Sequence, residues 1–285
     1  MKVSDALRDA TALLSTTSDT ARLDAELLMA HALGVTRSEL LLRHMADAPP
    51  PGFPALVARR AEHEPVAYIL GRKEFFSREF AVTHDVLIPR MDSETTVAAA
   101  LEAMPSPHRV LDCGVGSGAL LLTVLAERPE ATGVGIDRSD EALAVAARNA
   151  ERLGLRDRVR LLRRDWDEER WADDLGSFDL ILANPPYVED DAPIAAAVRR
   201  WEPAGALFAG SDGLDAYRSL VPQLPALLEP GGAAVLEIGA TQAEAVSAIA
   251  VAAGSSSELH RDLGGRPRAL VLRPRSSSAQ RGSDK

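Results

Sequence analysis

Four short strings in this chain carry residues whose types and spacing can do chemistry. The first is Asp112-Cys113-Gly114-Val115-Gly116-Ser117-Gly118. Its glycines permit positive φ and let backbone N–H groups approach a ligand closely. A dinucleotide site would use the wider Gly-x-Gly-x-x-Gly spacing, which receives a pyrophosphate at a helix N-terminus. Here the spacing is tighter and a carboxylate precedes it, a setting that repels an anion and welcomes a cation. The second string is Val134-Gly135-Ile136-Asp137. Its carboxylate lies about 20 residues past the glycines, where an acid accepts hydrogen bonds from both hydroxyls of a ribose. The third, Asp165-Trp166, offers a side chain for an adenine edge and a ring for its face.

Each feature alone has a plain packing explanation, Cys113 and Trp166 especially. Together, in order at strand ends, they predict a site for S-adenosylmethionine, whose sulfonium and ammonium groups are both cationic. The fourth string is Asn184-Pro185-Pro186-Tyr187. Two prolines fix the backbone and remove donors, leaving carbonyls outward. The Asn184 side-chain oxygen and the Pro185 carbonyl can then accept hydrogen bonds from one planar –NH2 group. Such acceptors return electron density to a delocalised nitrogen and hold it in line for attack. Tyr187 would pack on the flat target group. These residues leave adenine and glutamine both open as the target.

The bulk composition narrows the partners. The chain has 285 residues, 46% hydrophobic and 26% charged, with a formal net charge of −10. No run of Lys and Arg exceeds two residues, so duplex nucleic acid is disfavoured as the main partner, a local basic patch staying open. The one cysteine, Cys113, excludes an intrachain disulfide and fits a reducing cytoplasm. The six histidines (31, 44, 63, 84, 108 and 260) show no ligand spacing, so no metal site is expected. No signal-peptide core or membrane-length apolar run is present, and no heptads suggest more than a monomer.

The elements that must position these strings alternate. Apolar spacing predicts a small helical bundle over residues 1–64, with Asp19 and Thr20 offered as an N-cap and Gly34 as a stop. Residues 65–91 read as an interdomain hairpin around Ser77-Arg78, followed by a helix from about Asp92 to Met104. Residues 92–274 then read as a methyltransferase domain. Strands are expected at 110–113, 132–137, 158–163, 178–183, 233–238, 256–262 and 268–273, with helices at 118–128, 139–153, 213–228 and 241–252. That rhythm predicts a Rossmann-like α/β fold with a mostly parallel seven-stranded sheet and an antiparallel last strand. Residues 275–285 read as a disordered tail.

Further strings decide the target by resemblance. Glu64-Pro65-Val66-Ala67-Tyr68-Ile69-Leu70-Gly71, Glu74-Phe75 and Val86-Leu87-Ile88-Pro89-Arg90 resemble the interdomain segment of the PrmC/HemK family. So do Asn184-Pro185-Pro186-Tyr187-Val188, Trp201-Glu202-Pro203, Ala206-Leu207, Asp212-Gly213-Leu214-Asp215, and Leu236-Glu237-Ile238-Gly239 with Gln242. The resemblance covers residues 1–273. It implies a class I S-adenosylmethionine-dependent methyltransferase that modifies the glutamine amide in the Gly-Gly-Gln loop of class I peptide chain release factors. The helical domain and hairpin would dock that protein. Cofactor contacts would fall on Gly114, Val115, Gly116, Ser117, Gly118, Asp137, Trp166 and Asn184, and the glutamine on Asn184, Pro185, Pro186 and Tyr187. Where the family usually reads Pro-Glu-Thr-Glu, this chain reads Met91-Asp92-Ser93-Glu94. The rigid proline is lost, while the last carboxylate and a capping-competent Asp92 remain.

Two other readings stand beside this one. An adenine N6 methyltransferase would need a basic groove and a pocket for an extruded base. A non-catalytic scaffold of the same fold would need neither the glycine loop nor the target loop.

Overall fold

Val3, Ala6, Leu7, Ala10 and Leu14 recur at helical spacing and are all buried along α1 (Val3–Leu14). The computed structural model describes residues 1–275, so the tail expected at 275–285 falls, Arg275 apart, outside the described residues. After α1 come α2 (Ala21–Leu33), α3 (Arg37–Glu39) running into a π turn at Leu40–His44, α4 (Phe53–Ala61) and α5 (Val66–Leu70). Their shared core includes Leu7, Leu14, Leu28, Met29, Leu40, Phe53 and Val57. Gly34 ends α2 with φ of 69°, as expected of a left-handed stop.

The expected N-cap bond at Thr20 is not made. Thr20 and Ser18 instead donate to the buried Asp24 carboxylate at 2.9 and 2.7 Å, and Arg60 Nε donates to it at 2.7 Å. A buried charge needing partners outbids an exposed helix end. The short α5 was also unforeseen. It fills five residues between Pro65 and a left-handed Gly71, too few to show periodicity.

These helices, with residues 82–84 and 194–202, form one of two compact units. Within it Glu64 takes two bonds from Arg59, at 2.7 and 2.5 Å, and lies 3.3 Å from His84 Nε2. The His84 ring centroid is 4.5 Å from that of Tyr68 and 5.4 Å from that of Trp201.

The second unit, which begins at Lys73, opens within a hairpin of β1 (Arg72–Phe75) and β2 (Arg78–Ala81). Its two turn residues, Phe76 and Ser77, both take positive φ, the twist a two-residue hairpin prefers, here without glycine. Then follow α6 (Glu94–Ala103), β3 (Arg109–Cys113), α7 (Ala119–Glu127), β4 (Thr132–Asp137), α8 (Asp140–Arg152), β5 (Val159–Arg163) and β6 (Phe178–Ala183). After α9 (Ala196–Trp201), which belongs to the helical unit, come α10 (Asp215–Leu220), α11 (Leu224–Leu227), β7 (Leu228–Glu237), α12 (Ala243–Ala252), β8 (Ser255–Arg261) and β9 (Pro267–Pro274).

The expected helix over 213–228 is broken, because Pro222 and Pro225 lack N–H donors and a 3-10 turn separates α10 from α11. The seven strands order as β5-β4-β3-β6-β7-β9-β8. All neighbours from β5 to β7 pair in parallel, while β9 runs antiparallel to both β7 and β8. The antiparallel strand is thus the last among the described residues but lies between two others in space. Apolar side chains cover both sheet faces, Val110, Leu180 and Val235 on one and Leu111, Ile181 and Leu236 on the other.

One buried side chain ties the hairpin to the loop after β3. Asn149 on α8 is fully buried. It donates to the carbonyls of Ala81 and Ser117 at 3.0 and 2.8 Å and accepts from Ala81 N at 2.7 Å. Replacing it by the similarly sized Leu strands three backbone groups. Asn149→Leu should lower unfolding free energy by about 3 kcal/mol, read from the urea midpoint at unchanged m.

Candidate active site

Parallel pairing brings five strand ends to one edge of the sheet. Cys113 pairs with Ile136 on one side and with Ala183 on the other. The chain leaves β3 toward β4 and β5, then returns to place β6 on its opposite flank. The crevice between β3 and β6 is therefore the topological switch point, where open α/β sheets bind ligands. Gly114–Gly118, Asp137, Trp166 and Asn184–Tyr187 all follow these strand ends, and Glu237 ends the neighbouring β7.

The glycine loop spends four of its five N–H groups internally. Gly114 N and Val115 N both donate to the Ile136 carbonyl, at 2.9 and 2.8 Å, and Gly118 N donates to Val115 O at 2.7 Å. Gly116 N donates to Asp137 Oδ2 at 2.9 Å. Gly114, Gly116 and Gly118 hold φ of 81°, 51° and 84°, which the turn requires. With these four donors committed, the loop is no nest for a phosphate.

Its charges are negative. Asp112 is buried, accepts Leu121 N at 3.3 Å through Oδ2, and has no hydrogen-bond partner at Oδ1 among the described residues. Burial pushes its carboxyl up to about 7, with the nearby Asp137 charge adding to the rise. Asp137 also accepts from Ser139 N at 3.0 Å, which leaves each oxygen a lone pair for a ligand hydroxyl. Trp166 lies across Gly114, so that a methyl there would meet the ring at 3.4 Å.

The target loop is held from several sides. Pro185 is buried, while Asn184, Pro186 and Tyr187 are half-buried. The Tyr187 hydroxyl makes a long contact of 3.4 Å to Glu237 Oε1, and burial beside that carboxylate raises the phenol well above its usual range. Beyond it, Val188 N donates to Leu207 O at 2.8 Å and Ala209 N to Val188 O at 2.9 Å. Glu237 is itself buried, and Tyr217 donates to its backbone carbonyl at 2.8 Å. Burial pushes its carboxyl up to about 7, against the Ser93 hydroxyl, the Arg268 charge and the Tyr187 phenol.

Comparison with known proteins agrees with this geometry. Residues 106–256 match the model of the Methyltransferase domain family, and residues 5–71 that of the PrmC N-terminal domain. A release factor glutamine methyltransferase from Cereibacter sphaeroides is 44% identical over 96% of this chain and 99% of that protein. The chain belongs to the release factor glutamine methyltransferase family. A second relative of that name, from Bordetella pertussis, is 45% identical over 86% of this chain and 92% of that protein. An O-methyltransferase family protein from Burkholderia thailandensis shares the fold, with a TM-score of 0.51 at 13% identity, covering 93% of this chain and 98% of that one.

The methyl donor of this family is S-adenosylmethionine, and the residues present fit it. A loop with four of its five N–H groups committed, a buried carboxylate oxygen unmet among the described residues and a second carboxylate with spare lone pairs suit a cationic sulfonium nucleoside. No helix among the described residues is long and apolar enough to cross a membrane. The structure brings every site residue read from the sequence to the same sheet edge.

Glu237 was not among those residues, although a carboxylate closing the apolar run Ala233-Ala234-Val235-Leu236 was its signal. The family departure at Met91-Asp92-Ser93-Glu94 forms a 3-10 turn leading into α6. Asp92 does not cap the helix as expected but pairs with Arg268 at 2.7 Å, while Glu94 Oε1 accepts Phe76 N at 2.8 Å. The Arg90 charge still acts on Tyr187.

Two raised carboxyls give a pH signature. Between their ordinary values near 4 and about 7, the folded state holds protons that the unfolded state has released, so stability falls as pH rises. An Asp112→Asn/Glu237→Gln double variant lacks this term. From pH 7 down to pH 5 the wild type should gain stability relative to that variant, by about 1 kcal/mol per pH unit for each group. Urea midpoints at each pH read the difference, and a difference that does not change with pH contradicts the assignment.

Proposed function

We propose that this chain transfers a methyl group from S-adenosylmethionine to the side-chain amide nitrogen of the glutamine in the Gly-Gly-Gln motif of class I peptide chain release factors. One observation carries the reading. Cys113 and Ala183 are paired across β3 and β6, so the glycine loop and the Asn184-Pro185-Pro186-Tyr187 loop leave the sheet side by side. Relatives bearing the release factor name support the choice of glutamine, since the loop alone suits any planar –NH2 group. On this reading residues 1–64 dock the release factor, 65–91 link, and 92–274 perform the transfer. The chain would act as a cytoplasmic monomer, without direct nucleic-acid contact.

Cofactor contacts are assigned to Gly114, Val115, Gly116, Ser117, Gly118, Asp137, Trp166 and Asn184. Bound there, S-adenosylmethionine supplies an electrophilic methyl group on sulfur. Asp137 would take both ribose hydroxyls, and the Trp166 ring would cover the adenine.

Asn184, Pro185 and Tyr187 are assigned the catalytic work, with Pro186 completing the glutamine site. The Asn184 side-chain oxygen and the Pro185 carbonyl each accept one N–H of the target amide. The nitrogen lone pair, otherwise shared with its carbonyl, is thereby enriched and aimed. The same two acceptors stabilise the positive charge that develops on nitrogen, which sheds its proton to water afterwards. No dedicated general base is required.

The adenine alternative is disfavoured by the −10 net charge and is an arm of the test. Incubation with labelled cofactor should place label on a class I release factor and none on unmethylated DNA; label on DNA alone overturns the reading. Asn184→Ala should lower transfer by about 100- to 1,000-fold while cofactor affinity weakens only a few-fold. Normal turnover in that variant would remove the amide-gripping role. Asp137→Ala should weaken cofactor binding by about 10- to 100-fold in calorimetry, the loss of two hydrogen bonds to a charged group.

A further inference from the structure

Gln242 stands at the N-terminal boundary of α12, and its carboxamide is used completely. Its Oε1 accepts Gly239 N at 3.1 Å. Its Nε2 donates one hydrogen to the Tyr187 carbonyl and the other to the Gly213 carbonyl, each at 3.1 Å. One planar group thus joins three segments, the exit of β7, the target loop and the turn before α10.

Two glycines make the approach possible. A methyl at Gly239 would lie 2.6 Å from Gln242 Oε1. At Gly213, held at φ of 68°, a methyl would lie 2.8 Å from Gln242 Nε2 and collide with the Tyr187 carbonyl oxygen. Asp212-Gly213 and Gly239-Ala240-Thr241-Gln242, far apart in the chain, therefore make one device.

The device acts where geometry matters most. Asn184 to Tyr187 span two fixed points. Ala183 is held in the sheet by Cys113 and Leu236, and the Tyr187 carbonyl is held by Gln242. The Pro185 carbonyl and the Asn184 side chain lie between these points, so their aim depends on both. A displacement of about 1 Å in such acceptors can cost about 100-fold in rate.

We propose that Gln242 is a positioning residue for the methyl transfer, fixing the direction of the target loop through the Tyr187 carbonyl. This rests on the reading that Asn184 and Pro185 hold the target amide. Gln242 touches neither cofactor nor target, and its contribution is to the turnover of the bound complex rather than to the affinity of either ligand.

The test uses the full chain with a release factor and labelled S-adenosylmethionine. Gln242→Glu keeps the length and the acceptor but turns a carboxylate toward two carbonyls. Its kcat at pH 8 should fall by about 30-fold, with cofactor Kd within about twofold and release factor KM within about threefold. As the pH falls to 5.5, the protonated carboxyl regains one donor, and the ratio of variant to wild-type kcat should rise about fivefold or more. Gln242→Leu should stay low at every pH. A Gly213→Ala/Gln242→Leu double variant should lose no more than the worse single variant, because both break one clasp.

The proposal is overturned if Gln242→Leu turns over like the wild type, or if the Gln242→Glu ratio is flat with pH. It is equally overturned if cofactor affinity collapses along with kcat, since that marks general unfolding of the site. Should the wild type label no release factor, the functional reading fails first and the positioning role falls with it; a labelling wild type beside unaffected variants removes the positioning role alone.

Discussion

The site depends on β3 being paired on both flanks, by β4 through Ile136 and by β6 through Ala183. Parallel strands present their carboxyl ends together, so a register that aligns Cys113 with both partners also aligns three loops. A slip of one residue would turn every side chain to the opposite face, and both faces are packed with apolar residues. The burial that stabilises the sheet is therefore also what holds the glycine loop, Asp137 and the target loop within reach of one ligand. Gly133 and Gly135 on β4 belong to the same constraint, because a Cβ at either would come within 3.0 Å of Leu121, Leu125, Val115 or Leu161.

The glycine loop shows how a familiar motif is redirected. Four of its five backbone donors are consumed by Ile136 O, Asp137 and Val115 O. What remains for a ligand is then the carboxylate chemistry around it. Asp112 retains a buried oxygen without a partner among the described residues, a cost of about 1–3 kcal/mol that a cationic ligand can offset. Destabilisation of the empty site and affinity for the filled one have the same source. Asn149, which fixes Ser117 against the hairpin, extends that dependence to β2.

Strong local patterns made much of this legible. The strand at 132–137 was readable because Val134 and Ile136 lead to a terminal carboxylate, and Gly34 because a left-handed stop needs a glycine. The chemistry of Asn184 to Tyr187 was readable because two prolines constrain the backbone wherever they stand. What escaped was set by partners distant in the chain. Thr20 abandoned its cap for Asp24, whose charge is met by Arg60 on α4. Asp92 gave up its helix for Arg268. The raised carboxyl of Glu237 and the clasp of Gln242 come from burial and from loops that only the tertiary fold assembles. The apolar run that Glu237 closes marks where it stands, but neither its protonation nor the clasp is written locally.

The position of β9 bears on how the protein comes to be made. It is made after both β7 and β8, yet it inserts between them and supplies the carbonyl of Arg268 that receives Ile238 N at 2.8 Å. Until it arrives, β7 is an open edge exposing unpaired backbone groups, a surface prone to pairing with other chains. Arg268, the countercharge near Glu237, arrives at the same moment. A nascent chain thus carries its cofactor loop and target loop before the strand that completes the sheet beneath them has been made.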